Sequence, residues 1–184
     1  MTGALLAAFF SFGWIPLFLC RAEGVVESLP SYQGAERFWV CITPALLAIH
    51  VTAACVALNW PPQPPLWSII LGVGLFAAAM GFWFWGRALI GPLRVRRLPD
   101  ESPVQLRRDG AFGIVRHPMY FAYLLACFAP VLVARRPVLL VTFALAAMAI
   151  VIRAVQEERR TRAQLGAEYD AYCRDVKRLV PFVW

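Results

Sequence analysis

The chain has 184 residues, of which 60% are hydrophobic and 16% charged, with a mean hydropathy of +0.62. An ordinary soluble domain is roughly 45–50% apolar and about 25% charged, and a single core of this length cannot bury so much apolar surface, which excludes a soluble globular enzyme, a two-domain soluble protein and a disordered tail. The net charge of +7, from 18 Lys+Arg against 11 Asp+Glu, leaves no basic soluble module to bind nucleic acid and is instead assigned to loops facing anionic lipid.

A bilayer core needs about 20 apolar residues per helix. Met1–Cys20 is uncharged, and no Lys or Arg precedes its apolar stretch as a signal peptide requires. It is read as the first span. Phe38–Trp60 and Leu66–Gly86 are two further uncharged runs. Arg87 then stands where a long side chain reaches the interface. Met119–Ala134 and Pro137–Ile152 are shorter, about 24 Å each at 1.5 Å per residue, against a core of roughly 30 Å. Only Arg135 and Arg136 separate them, which predicts a tight helical hairpin with Pro137 opening its second helix. The fold class is therefore an all-α integral membrane protein of about five spans, the last two a hairpin, with a cytoplasmic C-terminal helix and tail. Residues 1–90 hold three spans, and residues 91–184 form the catalytic region.

With the N-terminus outside, all but two of the 18 Lys+Arg fall on the cytoplasmic side, a strong positive-inside bias. The two basic segments Arg87–Arg116 and Arg153–Trp184 share that face, so chemistry is sought there. Cys20, Cys41, Cys55 and Cys127 lie in or beside apolar runs, Cys173 lies in the polar tail, and no C-x-x-C occurs. They read as small apolar residues, with no disulfide or metal set. His50 and His117 are the only histidines, and His50, in mid-span, reads as a hydrogen-bonded packing residue. No nucleophile elbow, phosphate loop or dinucleotide fingerprint is present.

Three segments could carry chemistry. In Asp109-Gly110-Ala111-Phe112-Gly113-Ile114-Val115-Arg116-His117-Pro118-Met119-Tyr120, two glycines let the backbone turn close to a ligand. Pro118 fits a first helical turn, whose free N–H groups suit an anion. His117 can donate a hydrogen bond or carry a proton. The plainer reading is a basic interfacial loop anchored by Tyr120. Next, Arg153, Gln156, Glu157, Glu158, Arg159, Arg160 and Arg162 continue the last apolar helix past the lipid boundary. This is either a salt-bridged helix end or one carboxylate turned toward a cationic ligand, since adjacent residues point about 100° apart. Last, Gly166-x-x-Tyr169-x-x-Tyr172 reads as a short amphipathic helix, followed by Arg178-Leu179-Val180-Pro181 and the aromatic anchors Phe182 and Trp184.

Taken together, the Arg116-His117-Pro118-Met119-Tyr120 run, the hairpin, Glu157-Glu158, the paired tyrosines and the terminal Arg178-Leu179-Val180-Pro181 resemble the isoprenylcysteine carboxyl methyltransferase family, part of a wider group with phospholipid methyltransferases. The resemblance covers about the last 80 residues. Ala122 stands where many members carry glycine. It implies an integral membrane methyltransferase using S-adenosylmethionine, with S-adenosylhomocysteine as product. It further implies a cofactor pocket at the cytoplasmic helix ends and tail. On this resemblance Arg116, His117 and Glu158 are the catalytic residues. Gly110, Ala111, Phe112, Val115, Arg116, His117, Pro118, Tyr120, Glu157, Glu158, Tyr169, Tyr172 and Arg178 bind the cofactor, and no metal takes part. Either Glu157 or Glu158 holds the cofactor's charged end, and Phe82, Trp83 and Trp85 are further aromatic candidates. The partners implied are the bilayer and a lipid-like or prenylated acceptor. The alternatives are a sterol-type reductase using NADPH and a non-catalytic scaffold or transporter; the latter is disfavoured because mid-span polarity is sparse.

Overall fold

The computed structural model describes residues 3–11, 14, 34–94 and 106–181, with 90–94 in backbone only. Part of the expected first span, the loop at 21–33, the stretch 95–105 and the anchors Phe182 and Trp184 lie outside the described residues. Among the described residues there are seven helices. They are α1 (3–11), α2 (Gly34–Asn59), α3 (Leu66–Arg94), α4 (Ala111–Ile114), α5 (Pro118–Ala134), α6 (Pro137–Leu165) and α7 (Ala167–Asp175). Helices are the natural solution for such apolar runs, because lipid offers the backbone no hydrogen-bond partners.

Three helices, Gly34–Asn59, Leu66–Leu89 and Pro137–Leu165, are long and apolar enough to cross a membrane; α5, with 17 residues, is shorter. Prolines open α5 and α6 at Pro118 and Pro137, where a missing N–H costs nothing. The apolar run of α6 ends at Ile152; Arg153–Leu165 continues the helix as a charged extension outside the span.

The chain divides into two units. The first comprises residues 1–77 and 124–153. Its helices meet through small buried residues, among them Ala54, Ala57, Ala126, Ala129 and Ala146, as helix contacts in lipid require. Large apolar side chains such as Ile49, Val56, Ile70 and Leu140 point outward. Phe10 and Phe76 stack edge to face at 5.0 Å, and Phe128 and Phe143 lie 5.3 Å apart. His50 is buried. Its Nε2 donates to the Cys127 carbonyl at 2.8 Å, and its Nδ1 lies 2.8 Å from Thr142 Oγ1. A carbonyl only accepts, so Nε2 carries the proton, and His50 ties α2 to α5 and α6. Between α5 and α6, Arg135 adopts φ 53°, and Arg136 donates to the Trp60 carbonyl at 3.1 Å.

The second unit comprises residues 78–123 and 154–184. It holds the end of α3, α4, the start of α5, the charged extension of α6, α7 and the tail. A parallel bridge between Val115 and Lys177 joins the segment before α5 to the segment after α7.

Candidate active site

The residues that the resemblance assigns to the site, Gly110 to Tyr120, Glu157, Glu158, Tyr169, Tyr172 and Arg178, fall in this second unit. Gly110 caps α4 at φ 57°, ψ −129°, and Gly166 caps α7 at φ 53°, ψ −125°. That region of backbone space is open essentially to glycine alone. At Gly110 a Cβ would also press on Leu89 at 2.7 Å. The turn so formed buries Ala111 and Val115 and presents the Phe112 carbonyl, which accepts the Tyr172 hydroxyl at 2.6 Å. Downstream, Arg116 N–H donates to the Lys177 carbonyl at 2.8 Å and His117 N–H to the Arg178 carbonyl at 3.1 Å. The tail is thereby sewn along the entrance to α5.

Arg116 organises the cluster. Its Nε donates to Glu158 Oε1 at 2.9 Å, and its Nη1 donates to the carbonyls of Cys173 at 3.0 Å and Val176 at 2.7 Å. A guanidinium at the end of α7 satisfies carbonyls that the helix leaves unpaired. Arg178 reaches the other Glu158 oxygen at 2.9 Å, and His117 Nε2 lies 3.3 Å from Oε1. Glu158, only 2% exposed, is thus surrounded by three basic groups. Burial would raise its carboxyl, but the His117 ring beside it, the hydrogen bond from Arg178 and the charge of Arg116 outweigh that and hold it at about 2.

Glu157 occupies a different environment. Its side chain is 35% exposed; it accepts the Tyr120 hydroxyl and lies 3.7 Å from His117 Nδ1. The sequence suggested that only one of the two glutamates turns to the cluster. Both do, because the two nitrogens of His117 face different ways and each meets one carboxylate. The His117 and Tyr120 rings stack at 5.5 Å with a 26° tilt, and Tyr123 lies 6.3 Å from Tyr120. Tyr123, one turn below, went unnoticed in the motif, although its i,i+3 spacing is readable. Tyr169 and Tyr172 are buried with ring centres 6.0 Å apart. Burial pushes the Tyr172 hydroxyl up to about 12 and raises that of Tyr169 as well, so both stay protonated at neutral pH.

On α3, Trp83 is buried, Phe82 packs on Phe121 at 5.4 Å, and Trp85 is 44% exposed. Of the three aromatic candidates, only Trp83 is enclosed. Gly86 is buried, and a Cβ there would touch Pro118 at 3.4 Å, so the end of α3 lies against the start of α5. Arg107 holds the Leu89 carbonyl, and Arg108 pairs with Glu168 at 3.5 Å on the exposed side.

The arrangement offers carboxylates and stacked aromatic rings on a basic scaffold, a setting that suits a cationic ligand. Residues 67–168, more than half of the chain, match the family model described as phospholipid methyltransferase. The chain is 28% identical over 195 residues to a protein named methanethiol S-methyltransferase from Pseudomonas sp. (strain GM41(2012)), covering 91% of this chain and 70% of that protein. It is 25% identical over 192 residues to one of the same name from Mycobacterium tuberculosis (strain ATCC 25618 / H37Rv), covering 91% and 78%. With apolar helices fit to cross a bilayer and a motif cluster at their charged extensions, the chain belongs to the phospholipid methyltransferase family, within the isoprenylcysteine carboxyl methyltransferase group, and is an integral membrane methyltransferase.

Proposed function

We propose that the protein transfers a methyl group from S-adenosylmethionine to an apolar acceptor, and that a small thiol is its first candidate. The observation that carries this reading is the pairing of a buried, fully engaged Glu158 with a half-exposed Glu157 beside the Tyr120 and His117 rings. Bound S-adenosylmethionine supplies a methyl carbon on a cationic sulfur, open to in-line attack. Arg116 and Glu158 act as positioning residues, because their polar atoms are engaged with each other and with the tail. Glu157 holds the cofactor's cationic amino-acid end, oriented by Tyr120 and His117. The backbone from Gly110 to Val115 passes over the cofactor, and Tyr169, Tyr172 and Arg178 close that side. The donor arrives activated, so these residues have mainly to align it and exclude water.

The thiol is favoured by the names of the two relatives, which align over 91% of this chain. A phospholipid amine and a prenylated cysteine carboxylate are the comparison substrates. In this reading five helices cross the bilayer with α5 and α6 as a hairpin, and residues 91–184 carry the catalytic machinery. The N-terminus lies outside and the site faces the cytoplasm. The apolar acceptor enters from the lipid and the polar cofactor from water.

Thermal unfolding of the detergent-purified protein tests the cofactor assignment. At a hundredfold excess over Kd, S-adenosylhomocysteine raises Tm by about 5 °C or more, and NADPH leaves it in place. Absence of a shift with S-adenosylhomocysteine overturns the reading. Methyl transfer from labelled S-adenosylmethionine to methanethiol, to phosphatidylethanolamine vesicles and to a prenylcysteine then ranks the acceptors.

A further inference from the structure

Among the described residues of the unit 78–123 and 154–184, the buried side-chain atoms without a hydrogen-bond partner include two that lie outside the Arg116–Glu158 cluster: Nε1 of Trp83 and Oε1 of Gln156. The residues are 2% and 8% exposed. One atom is a donor and the other an acceptor. Leaving either unpaired in an apolar surrounding is unfavourable. Neither atom takes part in the Arg116–Glu158 cluster, so the scaffold does not account for them.

Their positions bear on the reaction. Gln156 directly precedes Glu157 and Glu158 on α6. Trp83 sits one turn before Gly86, the glycine that lets α3 approach Pro118, and next to Phe82, which packs on Phe121. Both therefore belong to elements that bracket the His117–Tyr120–Glu157 group. A carbonyl oxygen and an indole N–H together complement a heteroatom that bears both a proton and a lone pair, as a thiol or an amine does. A carboxylate offers lone pairs only and would meet the Gln156 oxygen like against like.

We propose that Gln156 is a specificity-determining residue that accepts a hydrogen bond from the protonated heteroatom of the methyl acceptor, the S–H of a small thiol, with the Trp83 N–H as a second polar contact. The inference rests on the methyl-transfer reading above. Gln156 holds the S–H before transfer and takes no proton from it; as the sulfur gains the methyl group and S-adenosylhomocysteine leaves, the thiol proton is released to water.

The test is the full-length Q156M variant, which keeps the side-chain length but removes the carbonyl, with Q156L as a second variant of different shape. Three quantities are read in detergent: Tm without ligand, the Tm shift with S-adenosylhomocysteine, and KM for methanethiol. The expected result is a KM raised about tenfold, with the S-adenosylhomocysteine shift retained and the ligand-free Tm unchanged or higher. A higher Tm with wild-type KM in both variants means that the amide is a buried polar group with no acceptor role, and overturns this inference alone. Methylation of a prenylcysteine carboxylate but of neither methanethiol nor phosphatidylethanolamine overturns this inference alone, and a wild-type enzyme that methylates none of the three overturns the reading beneath it, and this inference with it.

Discussion

Arg116, Glu158 and Arg178 share one charge network at the edge of the tail, and its members have very different exposure. Glu158 is almost wholly enclosed, whereas the Arg178 side chain is 24% exposed. Neutralising the enclosed member leaves two guanidiniums without their counter-charge, which costs about 3 kcal/mol. E158Q is therefore expected to lower Tm by about 6 °C or more at neutral pH. The pH dependence has a definite sign. The folded-state carboxyl is held at about 2, below its ordinary 4.5. Its stabilisation is complete above pH 4.5 and is lost as pH falls from 4.5 through about 2. Melting curves of wild type and E158Q should converge across that window. A constant gap down to pH 2 would show that the network, though formed, does not stabilise the fold.

At the level of elements, α3 separates two kinds of glycine. A Cβ at Gly72 would collide with Val133 Cγ2 and lie 2.9 Å from the Ala129 carbonyl, whereas Gly74, two residues on, has nothing within 4 Å. Gly72 is the close-contact point between α3 and α5 in the first unit. G72A should destabilise by about 1–3 kcal/mol through overpacking. G74A should be neutral or gain up to about 1 kcal/mol from helix propensity. Thermal unfolding of the two variants decides; equal losses in both would discredit the packing account. The short α5 is about 26 Å long at 1.5 Å per residue. It begins and ends on sequence signals, Pro118 and the Arg135-Arg136 pair, and gains length at neither end.

For the whole molecule, charge asymmetry and contact geometry bear on topology together. The Arg136 guanidinium holds the Trp60 carbonyl, and the Arg135 guanidinium lies 5.3 Å from the centre of the Trp67 ring. The turn between α2 and α3 and the turn between α5 and α6 thus lie side by side, as two connections on one face of a membrane should. The proposed orientation places that pair outside and the C-terminus in the cytoplasm. A reporter fused after residue 184 that matures only in the cytoplasm should be active in intact cells, and one that needs export should be silent. The reverse pattern would invert the topology while leaving the fold untouched. Membership of a methyltransferase family also removes the reductase and scaffold alternatives.

Hydrophobic run length and proline placement were enough to locate the apolar helices among the described residues. Phe38–Trp60 became Gly34–Asn59, Leu66–Gly86 became Leu66–Arg94, and Pro118 and Pro137 opened α5 and α6 as read. These are local properties, set by side chains within one turn or one span. The motif order likewise pointed to the family, because the residues that carry it are named in the chain. Residue types could not disclose that Arg116 would clasp the carbonyls of Cys173 and Val176, or that Val115 would pair with Lys177. Every residue has a carbonyl, so nothing in a side chain marks which one a distant guanidinium will find. The different surroundings of Glu157 and Glu158 and the unpartnered Oε1 of Gln156 were equally hidden. Burial and partnering arise only when segments some 40–60 residues apart are brought together, and there the packed chain alone assigns each charge its neighbour.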